Sequence, residues 1–163
     1  MLKRIGSLIL GLLTLVTMIG SLVGCGTGTV GQAGGSASPT AAVEALYRAK
    51  QSGDVQDYLA CYPPQVRDYI MEQSGGKKAF EKQFEQTSFD PTVVEVYYID
   101  EDTDEMNEKC TQAQQAYAEK GIEISLQKYV EAYCTLIVNG DESQAQDTAI
   151  PCGLVEGQWY VLY

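Results

Sequence analysis

From residue 122 to residue 138 every even position is apolar except Lys128: Ile122, Ile124, Leu126, Val130, Ala132, Cys134, Leu136 and Val138. A period of two held over that length demands a β-strand with one face against a core. The run is far longer than the ~5–6 residues of an ordinary strand, so the spacing predicts a bend or bulge near Lys128, where the pattern lapses. Such a strand needs neighbours. The β-branched and aromatic run at 92–100, "TVVEVYYID", supplies one, and the segments 148–155 and 159–163 supply two more. Asn139-Gly140-Asp141 and Glu156-Gly157 read as the turns between them. Pro151 and Gly153 fall inside the third strand. A proline there means that the strand is an edge at that point or bulges.

The residues before the sheet change period. Ser38 is a helix N-cap with Pro39 at the first helical position, and Val43, Leu46 and Tyr47 form a buried stripe. Ser52-Gly53 stops that helix. Asp54 caps a second one, Pro63-Pro64 ends it and opens a third, and Gly75-Gly76 breaks again before a short helix carrying Phe80 and Phe84 at i, i+4. Residues 102–121 return to helical composition between the strands, with Asp102 and Glu105 reading as a capping box and Gly121 as the stop. Helices first and a long curved antiparallel meander after them make an α+β domain, residues 38–163, with a sheet of about four strands.

Charge and residue types remove several classes of function. The chain carries 11 basic and 22 acidic residues, a formal balance of −11, and no histidine. Phosphate backbones need basic patches, so nucleic acid is excluded as a partner. Without histidine the commonest general base and the commonest metal ligand are both missing. Asp100, Asp102 and Asp104 imitate the opening of a calcium loop, but Glu105 stands where that loop needs glycine and Thr111 where it needs an acid. No metal and no cofactor is expected.

The first residues have a different character. Lys3 and Arg4 precede an uncharged run to Gly24, the shape of a secretory leader. That run ends in Leu22-Val23-Gly24-Cys25, which resembles the lipobox of bacterial lipoproteins. The resemblance implies a signal peptide over 1–24, cleavage between Gly24 and Cys25, and a diacylglycerol on the Cys25 thiol. It also implies residence on the extracytoplasmic face of the bacterial cell membrane, with the lipid bilayer as partner. Two acyl chains hold stably where one holds marginally. Residues 25–37 then form a tether with five glycines after Cys25 and no charge, about 20 Å in root-mean-square span. Within it, Gly26-Thr27-Gly28-Thr29-Val30-Gly31 spells a dinucleotide fingerprint, yet the run before it is the leader expected to be removed and Gln-Ala-Gly-Gly-Ser follows it, so a tether is the reading.

Four cysteines remain: Cys61, Cys110, Cys134 and Cys152, none of them in a C-x-x-C. Outside the cell an even number favours disulfides, and four thiols allow three connectivities. A hairpin centred near Ser143 sets Cys134 opposite Cys152, and elimination then pairs Cys61 with Cys110. Buried free thiols are the alternative.

The stretch "SPTAAVEALYRAKQSGDVQDYLACYPP", the long alternating strand and the ending "GLVEGQWYVLY" together resemble the nuclear-transport-factor-2-like superfamily, in the form of small Gram-positive lipoprotein domains. The helix at 102–121 and Pro151 with Gly153 depart from that pattern. The resemblance implies a cone, a bent sheet wrapped round a helix, with a pocket at its open end. Tyr97, Tyr129, Glu131 and Tyr133, the polar-face residues of the first two strands, would be the acid–base residues of an enzyme of this shape, or else a wetted or ligand-contacting sheet face. The expectation is a tethered, non-enzymatic module that binds a small molecule, a peptide or an envelope partner. A pocketless interaction domain, dimerising through the sheet, is the first alternative, and a small-molecule isomerase or hydrolase the second.

Overall fold

The computed structural model describes residues 34–86, 91–99 and 103–163, all within one compact unit, Gln32–Tyr163. The leader with Gly24 and Cys25, the fingerprint-like glycines, Asp100 and Asp102 lie outside the described residues. The fold is α+β. Helices α1 (Pro39–Ser52), α2 (Val55–Ala60), α3 (Pro64–Gln73) and α4 (Lys77–Gln86) precede strand β1 (Pro91–Tyr98). Helix α5 (Asp104–Glu119) follows, then β2 (Lys128–Val138), β3 (Gln146–Val155) and β4 (Gln158–Val161). The four strands form one antiparallel sheet in the order β1-β2-β3-β4, curled into a half-barrel.

Local chemistry explains the helix ends. The Ser38 hydroxyl accepts from the Ala41 N–H at 3.2 Å and Pro39 sets the first turn. The Asp54 carboxylate accepts from the Gln56 and Asp57 N–H groups at 2.8 and 2.9 Å. At α5 the cap is not Asp102 but Thr103, whose hydroxyl accepts from the Met106 N–H. Ala42, Val43, Leu46 and Tyr47 of α1 are buried together with Val130, Ala132 and Cys134 of β2. The Cys152 thiol of β3 faces the Pro39 carbonyl at 3.9 Å. Helix α1 therefore lies against the face of the sheet made by the even residues of β2. Full burial of one such valine contributes about 1.5–3 kcal/mol.

The strand ends differ from the sequence pattern in two places. Pairing of β2 starts at Lys128, so residues 122–127 are not ladder strand although their burial still alternates. Partners explain this: β3 reaches only Leu154 opposite Lys128, and β1 reaches only Tyr98 opposite Ala132. The chain bends at Gln127, next to Lys128 as the lapse in the pattern predicted, and the ladder's bulge sits in β1. Val94 pairs with Thr135 and Tyr97 with Tyr133, so Glu95 and Val96 together oppose Cys134, and Glu95 takes φ of 54°.

Pro151 lies where the pairing of β3 with β4 ends, an edge position as one of the two expectations required. β4 pairs only with Cys152 to Val155, and the Pro151 carbonyl accepts from Leu162 just past the end of β4. The missing proline N–H would point to that same side, just beyond the last ladder pair of β3 with β4. Gly153 is forced by packing: a Cβ there would stand 2.7 Å from Leu126 Cδ2 and 2.9 Å from Leu162 Cδ2. Glu156 and Gly157, with φ of 51° and 78°, make the two-residue hairpin turn into β4.

The folded body begins earlier than residue 38. Ser36 exchanges two backbone hydrogen bonds with Trp159, at 2.8 and 2.9 Å. The Tyr160 hydroxyl donates to the Gly34 carbonyl. At the other terminus, the Tyr163 N–H donates to the Tyr117 hydroxyl at 2.7 Å. Lys120 Nζ stands 5.4–5.7 Å from the ring centres of Tyr69, Tyr117 and Tyr163, a cation–π contact that ties α3, the end of α5 and the C-terminus together.

Candidate functional site

Odd residues of β2 point away from α1. Tyr129, Glu131 and Tyr133 therefore share the outer face of the sheet. The bulge at Glu95–Val96 adds one residue to β1 and so shifts Tyr97 onto that same face, opposite Tyr133. Their rings stack with centroids 5.6 Å apart and an interplanar angle of 26°. Tyr97 is 55% exposed and its neighbour Ile99 54%, so the stack is presented to solvent at the β1 side of the sheet.

Glu131 is the hub of the cluster. Its Oε1 lies 2.9 Å from Lys109 Nζ of α5, and its Oε2 accepts from the Tyr133 hydroxyl at 3.0 Å. The Tyr129 hydroxyl donates to Oε1 at 3.5 Å. Lys109 also pairs with Glu105, one helical turn earlier, at 3.1 Å. The hydrogen bond from Lys109 is the chief reason that the Glu131 carboxyl is held below its usual 4.5; partial burial opposes it and the two phenols assist. The same contacts, with Glu131 first and Glu105 second, push the Lys109 ammonium upward. Glu131 raises Tyr133 through their hydrogen bond, whereas burial is the main cause for Tyr129. The cluster is thus a carboxylate–ammonium pair framed by phenols, with both charges fixed in their ionised forms.

All four residues expected to contact a ligand are brought together. The bulge and the alternation put them on the face opposite α1, the polar face that the sequence pattern assigns them. Lys109 is the member that the strands do not announce. Its one signal in the sequence is the i, i+4 spacing from Glu105, which many surface helices share.

The cysteines are not arranged as the hairpin estimate required. Cys134 lies opposite Thr148 and Cys152 opposite Val130. The Asn139-Gly140 turn centres the hairpin on Asp141, and the two thiols end up out of register. All four thiols are free. Cys61 donates to the Asp57 carbonyl and Cys110 to the Leu126 carbonyl. Burial pushes Cys61 and Cys152 up to about 12. Among the described residues, no three His, Cys, Asp or Glu side chains gather where they could hold a metal ion.

An open groove with a volume of about 650 Å³ lies elsewhere, between α5, residues 122–125, the β3–β4 turn and Gln65 of α3. It shares no residue with the tyrosine cluster. Its signal in the sequence is indirect: the alternation at 122–127 continues past the point where any neighbouring strand remains. No protein-family model matches the chain, and neither the curated proteins nor the solved structures hold a match to it.

Proposed function

We propose that the chain is a bacterial lipoprotein, held on the extracytoplasmic face of the cell membrane by an acylated Cys25, whose domain is a non-enzymatic binding module. The domain is assigned to the nuclear-transport-factor-2-like group, and a helix in the curl of a four-stranded sheet supports that assignment. The observation that carries the binding reading is the exposed Tyr97–Tyr133 stack beside the Glu131–Lys109 pair. Stacked phenols offer a flat apolar contact, and a fixed ion pair offers directional hydrogen bonds, the mixture that marks recognition surfaces. The occupant is a small molecule, a peptide or an envelope partner.

The electrostatics favour binding over acid–base catalysis. A general base works best with its pKa near the working pH. Glu131 is moved away from neutrality by Lys109, and Lys109 is moved away in the other direction by its two carboxylates.

A photo-crosslinking residue placed at Ile99 in intact cells tests the reading, with exposed Gln73 as the control position. The expected result is a discrete adduct at position 99 that Tyr133→Ala and Glu131→Lys each abolish. An adduct that survives both changes, or none at all, removes the outer face from consideration. Incorporation of an alkyne-labelled fatty acid tests the anchor separately: it is expected in the full chain and absent from Cys25→Ser.

A further inference from the structure

Residues 122–127 behave as a strand that has lost its neighbour. Ile122, Ile124 and Leu126 pack inward, while Glu123, Ser125 and Gln127 are exposed. Backbone groups of alternate strand residues point to opposite sides. The Ile122 N–H goes to the Tyr117 carbonyl and the Leu126 N–H to Gln114 Oε1 at 2.7 Å, both toward α5. The Gln127 N–H goes the other way, to Leu154 of β3 at 2.8 Å. The chain bends at Gln127, and Glu123 and Ser125 alternate with Leu126, which sets their backbone groups away from α5. β3 has by then turned at Glu156-Gly157, so nothing among the described residues pairs with their N–H and C=O groups.

These residues line the open groove of about 650 Å³, a volume in the range of ligand sites. Its floor is apolar, from Ile122, Ile124, Val155 and Ala118. Its rim is Gln65, Gln115, Thr111 and Ser125, with two carboxylates, Glu123 and Glu156; among the described residues no cation lines it. An unpaired strand edge beside a groove is the geometry of β-strand addition, in which main-chain bonds give affinity and side-chain contacts give specificity. The charge of the rim then selects a cationic partner.

We propose that this groove is the docking site for an extended peptide segment bearing lysine or arginine, which pairs with the backbone of Glu123 and Ser125 and sets its cations against Glu123 and Glu156. It is a second site, independent of the outer-face cluster.

The test uses the detergent-solubilised full chain. The probes are a capped hexapeptide of alternating lysine and valine and its counterpart with glutamate for lysine. Amide hydrogen exchange is expected to slow at least tenfold at Glu123 and Ser125 with the lysine peptide and not with the glutamate peptide. Ser125→Pro removes an N–H that the fold does not use and is expected to abolish the protection. The double change Glu123→Gln with Glu156→Gln keeps the fold, as circular dichroism will report, and is expected to weaken binding at least tenfold. It carries the test if the proline variant does not fold. No slowing, equal slowing with both peptides, or slowing at Tyr97–Tyr133 instead overturns the proposal. So does protection that appears without peptide as protein concentration rises, which would make the occupant a second copy of the chain.

Discussion

The two faces of β2 are built from neighbouring residues and do opposite things. Val130, Ala132 and Cys134 are buried with α1, and shape complementarity decides what fits there. Tyr129, Glu131 and Tyr133, each one residue away, carry an ion pair and a solvent-facing ring stack. The comparison teaches that one strand can hold the fold on one side and present charge and aromatic rings on the other, since the pleat keeps the two sets apart. Substitutions at Val130, Ala132 and Cys134 should therefore cost stability, and those at Glu131 and Tyr133 little of it.

The sharpest way to break this contrast is Val130→Asp. An unpaired carboxylate at a fully buried position is expected to cost about 4 kcal/mol or more and to unfold the domain at room temperature, as circular dichroism would show. A cooperative native melt in that variant would mean that the α1 face is not the core. Thiol chemistry gives a second contrast. At pH 8 a thiol with a pKa of about 12 has roughly a thousandfold less thiolate than one near its ordinary value. Cys61 and Cys152 are thus expected to resist a maleimide until denaturant is added, while half-exposed Cys110 reacts first. Intact mass after labelling reads the order, and also shows directly whether any pair is bridged.

Gly153→Ala is a smaller intrusion, made on the Tyr129 side of the sheet where Leu126 and Leu162 cover it. Its methyl would meet Leu126 and Leu162 at 2.7 and 2.9 Å, and overpacking of this kind costs about 1–3 kcal/mol. Urea denaturation is the check; an unchanged midpoint would show that the two leucines yield freely. Smallest of all is Glu131→Gln on the outer face, expected to lower stability by about 1 kcal/mol or less. Because Glu131 is held below its unfolded value, its contribution is present above about pH 4.5 and is lost as pH falls through the folded pKa. The stability gap between the native chain and Glu131→Gln should accordingly be open at pH 7 and closed near pH 2. A gap that widens toward acid would contradict the Lys109 pairing.

Features that depend on local chemistry were readable in the residues. The Ser38 and Asp54 caps, the Glu156-Gly157 turn and the alternation of β2 all follow from side-chain type and period. Pairing ends are not local. Whether residues 122–127 join a ladder depends on where β3 turns, and that is fixed by Glu156-Gly157 some thirty positions later. The face taken by Tyr97 depends on a bulge whose Glu95 adopts positive φ without being a glycine, so no residue type flags it. Cys134 and Cys152 show the same limit at one remove. A shift of the hairpin centre from Ser143 to Asp141 moves each thiol to a different partner. Lys109 joins the cluster through tertiary packing of α5, which a single chain's spacing does not encode.

The contact between Ser36 and Trp159 has an optical consequence. The chain contains one tryptophan, and both of its backbone hydrogen bonds to Ser36 sit where the glycine-rich segment meets β4. Intrinsic fluorescence excited at the indole band therefore reports on that junction and on the core against which the half-buried Trp159 packs. Detachment of the segment around Ser36 would alter emission while far-ultraviolet dichroism stayed constant, giving the protein a built-in gauge of how firmly that segment is seated.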